Sequence, residues 1–233
     1  MKPILIFALS ERCGSTAIAE AIAESTDTEY LAEPFHPDWD NWSSVKFENV
    51  KFSTSNIAEI CSIYNIGVCK TISHHLDLKS NKDLINKFTT VFLYRQSFID
   101  MILSEWVSSN YEIKYNKALY YIDHIRNEKD FHVLERDPID IKFLIEKYNY
   151  WFLEKRRLLT KCRFDLIIKY EDYFNDNVIS NHMALLDKLN LKNVSDTFKS
   201  KIEKDKKHNS HEVYQKIIPN YEEVMKFRNE LIL

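Results

Sequence analysis

Residues 4–16 constrain this chain more than any other stretch. Ile4-Leu5-Ile6-Phe7-Ala8-Leu9 is a continuous apolar run, short and rich enough in β-branched and aromatic side chains to predict a buried strand. Ser10 to Thr16 interrupts the run, and the alanine-rich stretch from Ala17 to Ser25 predicts a helix. Of the two glycines in 233 residues, Gly14 and Gly67, one falls in this strand-to-helix turn. The first N–H groups of a helix have no intrahelical partner and its dipole is positive there, so an anion fits at that end. Gly14 allows close approach, Ser15 and Thr16 add donors, and Arg12 adds a full charge. The stretch reads as a phosphate-binding loop, against the plainer reading of an ordinary helix start. A nucleotide-triphosphatase loop would need an earlier glycine and a Lys-Ser or Lys-Thr pair after Gly14, and this sequence has neither.

Beyond that loop the chain alternates. Tyr30 to Pro37 carries Pro34 and Pro37, which disfavour helix before them, so this segment is extended or looped. A helix is predicted over 56–64, ending near Gly67, followed by a strand at Val68-Cys69-Lys70-Thr71-Ile72 with His74 and His75 just beyond it. Ser80 and Asp83 have capping-box spacing, which predicts a helix over 80–88 with Ser80 as cap. Thr89 to Tyr94 is the next strand and delivers Arg95 at its carboxyl end; Ser97 and Asp100 repeat the capping-box spacing for a helix running to about Ser108. Helices are predicted over 117–127 and 139–159, a strand over 164–169, a helix from about 173 to 189, a charged run at 199–208 and a last helix over 221–231. Strands alternating with helices predict an α/β fold: a three-layer sandwich with a central, mostly parallel sheet. A single domain over 1–233, with insertions at 36–55 and 108–138, is the simplest organisation.

A formal charge of −3 gives no general basic field, so no nucleic-acid partner is expected and any anion site is local. Cys13, Cys61, Cys69 and Cys162 form no C-x-x-C pair, so free, mostly buried thiols in a reducing compartment are expected, and with them a cytoplasmic location. The apolar run at the start ends after about six residues at Glu11 and Arg12, too short for a secretory signal, and no stretch reaches the eighteen or so apolar residues that span a bilayer. No membrane partner is expected. In a parallel α/β sheet, ligands bind at the carboxyl ends of the strands. The Gly14 loop, His74 with His75, Arg95, and Tyr170 with Glu171 all fall there independently.

The order Arg12-Cys13-Gly14-Ser15-Thr16, straight after the first strand, resembles the 5′-phosphosulfate loop of the sulfotransferases, whose donor is 3′-phosphoadenosine 5′-phosphosulfate (PAPS). Val91-Phe92-Leu93-Tyr94-Arg95 with Ser104 on the following helix resembles the family's 3′-phosphate site, with Ser97 as a rival ligand. Glu33-Pro34 resembles the Glu-Pro element of carbohydrate sulfotransferases, and Tyr170-Glu171-Asp172 the family's Tyr-Glu-Asp element, read as structural. The likeness is to bacterial and phage-type members acting on carbohydrates. It implies a P-loop-like sulfotransferase fold and transfer of a sulfuryl group from PAPS to a hydroxyl of a small-molecule or carbohydrate acceptor, releasing 3′,5′-ADP, with no metal. Arg12, Cys13, Gly14, Ser15 and Thr16 would hold the phosphosulfate, and Arg95 and Ser104 the 3′-phosphate. Lys207 in the charged run would close over the nucleotide. Glu33 would accept the acceptor's proton, in competition with His74, which follows Lys70-Thr71 as the cytosolic members' histidine follows a Lys-Thr pair. Two other classes stay open: a small-molecule kinase with a degenerate phosphate loop, and a catalytically silent nucleotide- or carbohydrate-binding module. The acceptor and the oligomeric state are not legible in the sequence.

Overall fold

Ile4–Ala8 (β1) is buried at every position, so neither of its faces meets water. A strand of that kind belongs in the middle of a parallel sheet, where helices cover both faces. In the computed structural model β1 pairs in parallel on both sides. Ile66–Ile72 (β3) lies on one flank with Ile4 opposite Val68, and Thr89–Tyr94 (β4) on the other with Ile4 opposite Thr89. Glu29–Ala32 (β2) adds to β3, and Leu166–Lys169 (β5) adds to β4, also in parallel. The sheet has five strands in the order β2-β3-β1-β4-β5. The structure describes residues 2–36, 51–115, 138–195, 197–199 and 210–232.

Ser15–Thr26 (α1) carries the chain from β1 over β3 to β2. Ile57–Ile63 (α2) precedes β3, and Leu78–Lys87 (α3) carries the chain from β3 over β1 to β4, in the opposite direction along the sheet. Parallel crossovers are right-handed, so reversing the direction of travel moves the connecting helix to the other face. Helices therefore flank the sheet as a three-layer α/β arrangement requires. The remaining helices are Phe98–Tyr115 (α4), Ile141–Lys161 (α5), the single turn Tyr170–Tyr173 (α6), Val178–Lys188 (α7), Ser210–Ile217 (α8) and Tyr221–Ile232 (α9).

Packing divides the chain into two compact units, residues 1–96 with 155–206, and residues 97–154 with 207–233. The first holds the whole sheet. In the second, Asp100 on α4 is nearly buried and takes Arg228 of α9 at 3.2 Å and His211 of α8 at 3.6 Å. The Asn220 side chain accepts from the Ile139 N–H at 2.8 Å and donates to its carbonyl at 2.9 Å, fixing the start of α9 against the segment before α5.

Several local expectations shift. Tyr30 and its neighbours form strand β2, not only extended chain. The cap of α3 is Asp77, whose Oδ1 accepts from the Ser80 N–H at 2.7 Å, so the helix begins three residues before the capping-box reading placed it. Gly67 lies inside β3, where a Cβ would sit 2.2 Å from Thr28 Oγ1; close packing of the strand, not a helix end, requires it. Ser97 does behave as a cap, its Oγ accepting from the Asp100 N–H at 3.4 Å, and α4 runs on to Tyr115. Trp151 is core, whereas its neighbour Phe152 is 47% exposed. Cys13, Cys61 and Cys69 are buried free thiols, and Cys162 is half-buried. The helix predicted over 117–127, Lys207 and most of both insertions lie outside the described residues. Among the described residues no helix is long and apolar enough to cross a membrane.

Candidate functional site at the carboxyl ends of the strands

Five described residues other than glycine have a left-handed backbone: Arg12, Asp27, Glu33, Asn65 and Asn190. Asn and Asp enter that region readily; longer side chains enter it at a cost of about 1–2 kcal/mol. Arg12 (φ 64°) and Glu33 (φ 43°) are thus the unexpected pair; Glu33 directly follows β2, and Arg12 lies in the loop after β1. Strain of this kind collects at functional sites, where the surrounding structure holds it in place.

In the loop after β1, Arg12 and Gly14 (φ 75°) alternate with ordinary residues, and Gly14 is the N-cap of α1. No side chain caps the helix and no acidic residue occupies its first turn, so its N-terminal N–H groups and positive dipole end keep their preference for an anion. Gly14 has a second reason to be glycine. A Cβ there would lie 2.4 Å from Phe174 Cε2 and 3.0 Å from Tyr170 Cδ2, so the α6 aromatics close the side on which a side chain would stand. Ser15 is buried, and Arg12 is half-buried.

Lys70 is the residue that the sequence reading underrated. It sits in β3 opposite Ile6 of β1 and Ala32 of β2, 6% exposed in an otherwise apolar stretch. Its Nζ donates to Thr16 Oγ1 at 2.8 Å and pairs with the carboxylate of Glu33, itself 7% exposed. The Glu33 N–H extends the sheet by donating to the Lys70 carbonyl at 2.9 Å. One buried ammonium therefore links the phosphate-loop hydroxyl to the expected base. Beside them the Tyr30 hydroxyl is buried next to Thr16; burial first, then the Glu33 charge, push its pKa well above the ordinary phenol value, with the Thr16 side chain opposing. The signal in the sequence was a lysine within a strand buried on both faces, where a charge survives only if paired.

Arg95 stands where β4 ends, 6% exposed. Its guanidinium lies over the Tyr170 ring, 4.7 Å from the centroid, with Nε 3.9 Å from Glu171 Oε1. Glu171 also accepts from the Gln96 N–H at 2.9 Å. The Tyr170-Glu171 element thus orders the end of β4. Arg95 also reaches the first loop. Burial raises the pKa of the Cys13 thiol, opposed by Ser10, by the Arg95 N–H and by the Arg95 charge. Arg95 Nε has no hydrogen-bond partner among the described residues. Lys155 lies over the Tyr94 ring at 4.0 Å, a further cation at the end of β4 that the sequence did not suggest.

His74 turns to Glu11, with Nε2 3.1 Å from the carboxylate; His74 is exposed and Glu11 half-buried. Burial and that hydrogen bond act in opposite directions on Glu11, whose pKa ends below its ordinary value. His75 is held neutral, its pKa lowered to about 4, chiefly by burial. The first unit therefore brings together Arg12, Cys13, Gly14, Ser15, Thr16, Lys70 and Glu33, with Arg95 against the loop through Cys13 and Tyr170. Ser104 is half-buried on α4 in the second unit.

The class this geometry defines is a parallel α/β protein whose first helix starts at Gly14 without a side-chain cap, in the loop after its first strand. Compared with known proteins, the chain matches no family model and no curated protein.

Proposed function

We propose that the chain is a cytoplasmic, PAPS-dependent sulfotransferase acting on a hydroxyl of a small-molecule or carbohydrate acceptor. One observation carries the reading. Lys70 joins Thr16, in the first turn after the Gly14 loop, to Glu33, while Arg95 abuts the same loop from the neighbouring strand. A donor phosphorylated at both the 3′ and 5′ positions needs two such cationic places close together, and its acceptor needs a base nearby.

In the proposed reaction the acceptor oxygen attacks sulfur in line. The new sulfur–oxygen bond forms as the bond to the donor's 5′-phosphate oxygen breaks, and the acceptor's proton passes to Glu33. The backbone N–H groups after Gly14, the Thr16 hydroxyl and Lys70 face the charge gathering on the leaving oxygen, with Arg12 as the added cation. Arg95 takes the 3′-phosphate, for which a rigid guanidinium suits a dianion. Lys70 has a second role: by pairing with the Glu33 carboxylate it holds the base in place.

The test is a thermal-shift comparison of 3′,5′-ADP, ADP and ATP with Mg²⁺, followed by transfer assays against sugar and phenol acceptors. A nucleotide at a hundred times its Kd stabilises by about 2.7 kcal/mol, or roughly 5–11 °C for a chain of this size. Stabilisation by 3′,5′-ADP well above that by ADP supports the proposal. Stabilisation by ATP with Mg²⁺ but not 3′,5′-ADP would replace it with the kinase reading. Selective 3′,5′-ADP binding with no transfer to any acceptor would leave a silent binding module.

A further inference from the structure

The turn after β2 and the turn after β3 bring three metal-ligating side chains into one cluster. The His36 N–H donates to the Glu33 carbonyl at 2.9 Å, closing a tight turn with Pro34 at its second position, the place where proline's fixed φ is favoured. His75 stands at the end of the single helical turn 73–75 that follows β3. The ligand atoms of Glu33, His36 and His75 all lie within 4.8 Å of one another. The His75 ring packs edge-on against His36, with centroids 5.0 Å apart, and against His74 at 4.9 Å.

His75 presents an anomaly. Both of its ring nitrogens are buried, and neither has a hydrogen-bond partner among the described residues. An imidazole always carries polar character on both nitrogens, and a buried polar atom left unmet is unfavourable. Three imidazoles clustered beside two carboxylates are not what apolar packing would select. We propose that Glu33, His36 and His75 form a binding site for a divalent transition metal of the zinc class.

Two imidazole nitrogens and one carboxylate oxygen suit zinc, whereas magnesium and calcium prefer oxygen-only shells. A tetrahedral zinc with bonds near 2.0–2.1 Å holds its ligand atoms roughly 3.4 Å apart, a modest contraction from the present separations within 4.8 Å. The fourth position is left for water or a ligand. A second set lies alongside: Glu11, His74 and His75 also have their ligand atoms within 4.8 Å. Glu11 and His74 already pair with each other and are the more exposed, which assigns them to the outer layer, with Glu11 in reach of His75 as a carboxylate that can orient a metal-bound imidazole. Metal on Glu33 would compete with Lys70 for the carboxylate. The site shares Glu33 with the proposed base of sulfuryl transfer, so a metal bound there would occupy that carboxylate, but metal binding itself does not depend on that reaction.

The experiment is zinc titration of tag-free, chelator-treated full chain by calorimetry, with cobalt(II) absorption as a second readout. Wild type should take up one equivalent. His75→Ala and His36→Ala should bind at least about 100-fold more weakly, beyond the 10–100-fold typical of outer-layer losses, and His74→Ala, in that outer layer, should stay within about 10–100-fold of wild type. Circular dichroism checks folding, and His75→Gln replaces His75→Ala should the latter not fold. Absence of stoichiometric uptake by wild type overturns the proposal. So does a loss in His74→Ala equal to that in His75→Ala, which would move the metal to the Glu11 set. A thiolate charge-transfer band with cobalt, or a cobalt spectrum unchanged by the His75 substitution, overturns it as well.

Discussion

Replacing Lys70 by methionine tests the centre of the site. The ammonium is 6% exposed and the Glu33 carboxylate 7%, so the substitution leaves a nearly water-free carboxylate facing a thioether. Removing one partner of a buried ion pair destabilises by about 3–5 kcal/mol, because the remaining charge is uncompensated. For a chain of this length each kcal/mol lowers Tm by roughly 2–4 °C, which gives an expected drop of about 6–20 °C. Glu33→Gln keeps the shape and removes the charge that compensates the ammonium, which keeps its bond to Thr16 Oγ1 at 2.8 Å. The double variant has no buried charge left, and should be more stable than the two single losses predict by at least about 2 kcal/mol. Thr16→Val, which removes one hydrogen bond, should cost about 1 kcal/mol and separates that contact from the ion pair. Urea unfolding of the wild type and the four variants, followed by far-UV circular dichroism, measures the coupling. Additivity within about 0.5 kcal/mol would refute the argument, since Lys70 and Glu33 would then not act on each other.

Gly14→Ala should destabilise by about 2–5 kcal/mol, about 1–2 from the left-handed backbone and the rest from the clash with Phe174. Adding Phe174→Leu should recover only the second share, and a loss below about 0.5 kcal/mol in urea would remove both reasons. Buried His182, bonded to Ser25 Oγ and the Tyr173 hydroxyl, has its pKa lowered from 6.5 to about 4 by desolvation. The unfolded chain therefore takes up this proton first, so stability is full above about pH 6.5 and declines as pH falls towards 4. Between pH 7 and 5 His182→Gln should lose about 2 kcal/mol less than wild type, and identical pH profiles would discount the residue. Arg12→Ala should lower kcat by about two orders of magnitude, as for a lost transition-state donor, and unchanged turnover would exclude Arg12 from the reaction. Arg95→Ala should abolish the preference for 3′,5′-ADP over AMP in binding assays; an intact preference would detach Arg95 from the 3′-phosphate.

The central strands and the loop were legible because their constraint is local. A parallel strand buried on both faces must be mostly apolar, so β1, β3 and β4 announce themselves, and a glycine in a chain with so few marks a turn that cannot take a side chain. The same rule hid β2, an edge strand of four residues whose pattern of exposed and buried positions carries no such demand. Asp77 escaped notice as a cap because Ser80 and Asp83 offered a competing local pattern, and the choice between them rests on where β3 releases the chain. Only the tertiary structure decided what meets across the sheet. Thr16 and Lys70 are 54 positions apart, and Glu33 reaches Lys70 because β2 comes to lie beside β3. His36 and His75 converge for the same reason, through turns on neighbouring strands. The sequence alone determined which segments must avoid water; which charged and ligating groups share a place was settled by strand order, since crossovers join residues that no local pattern relates.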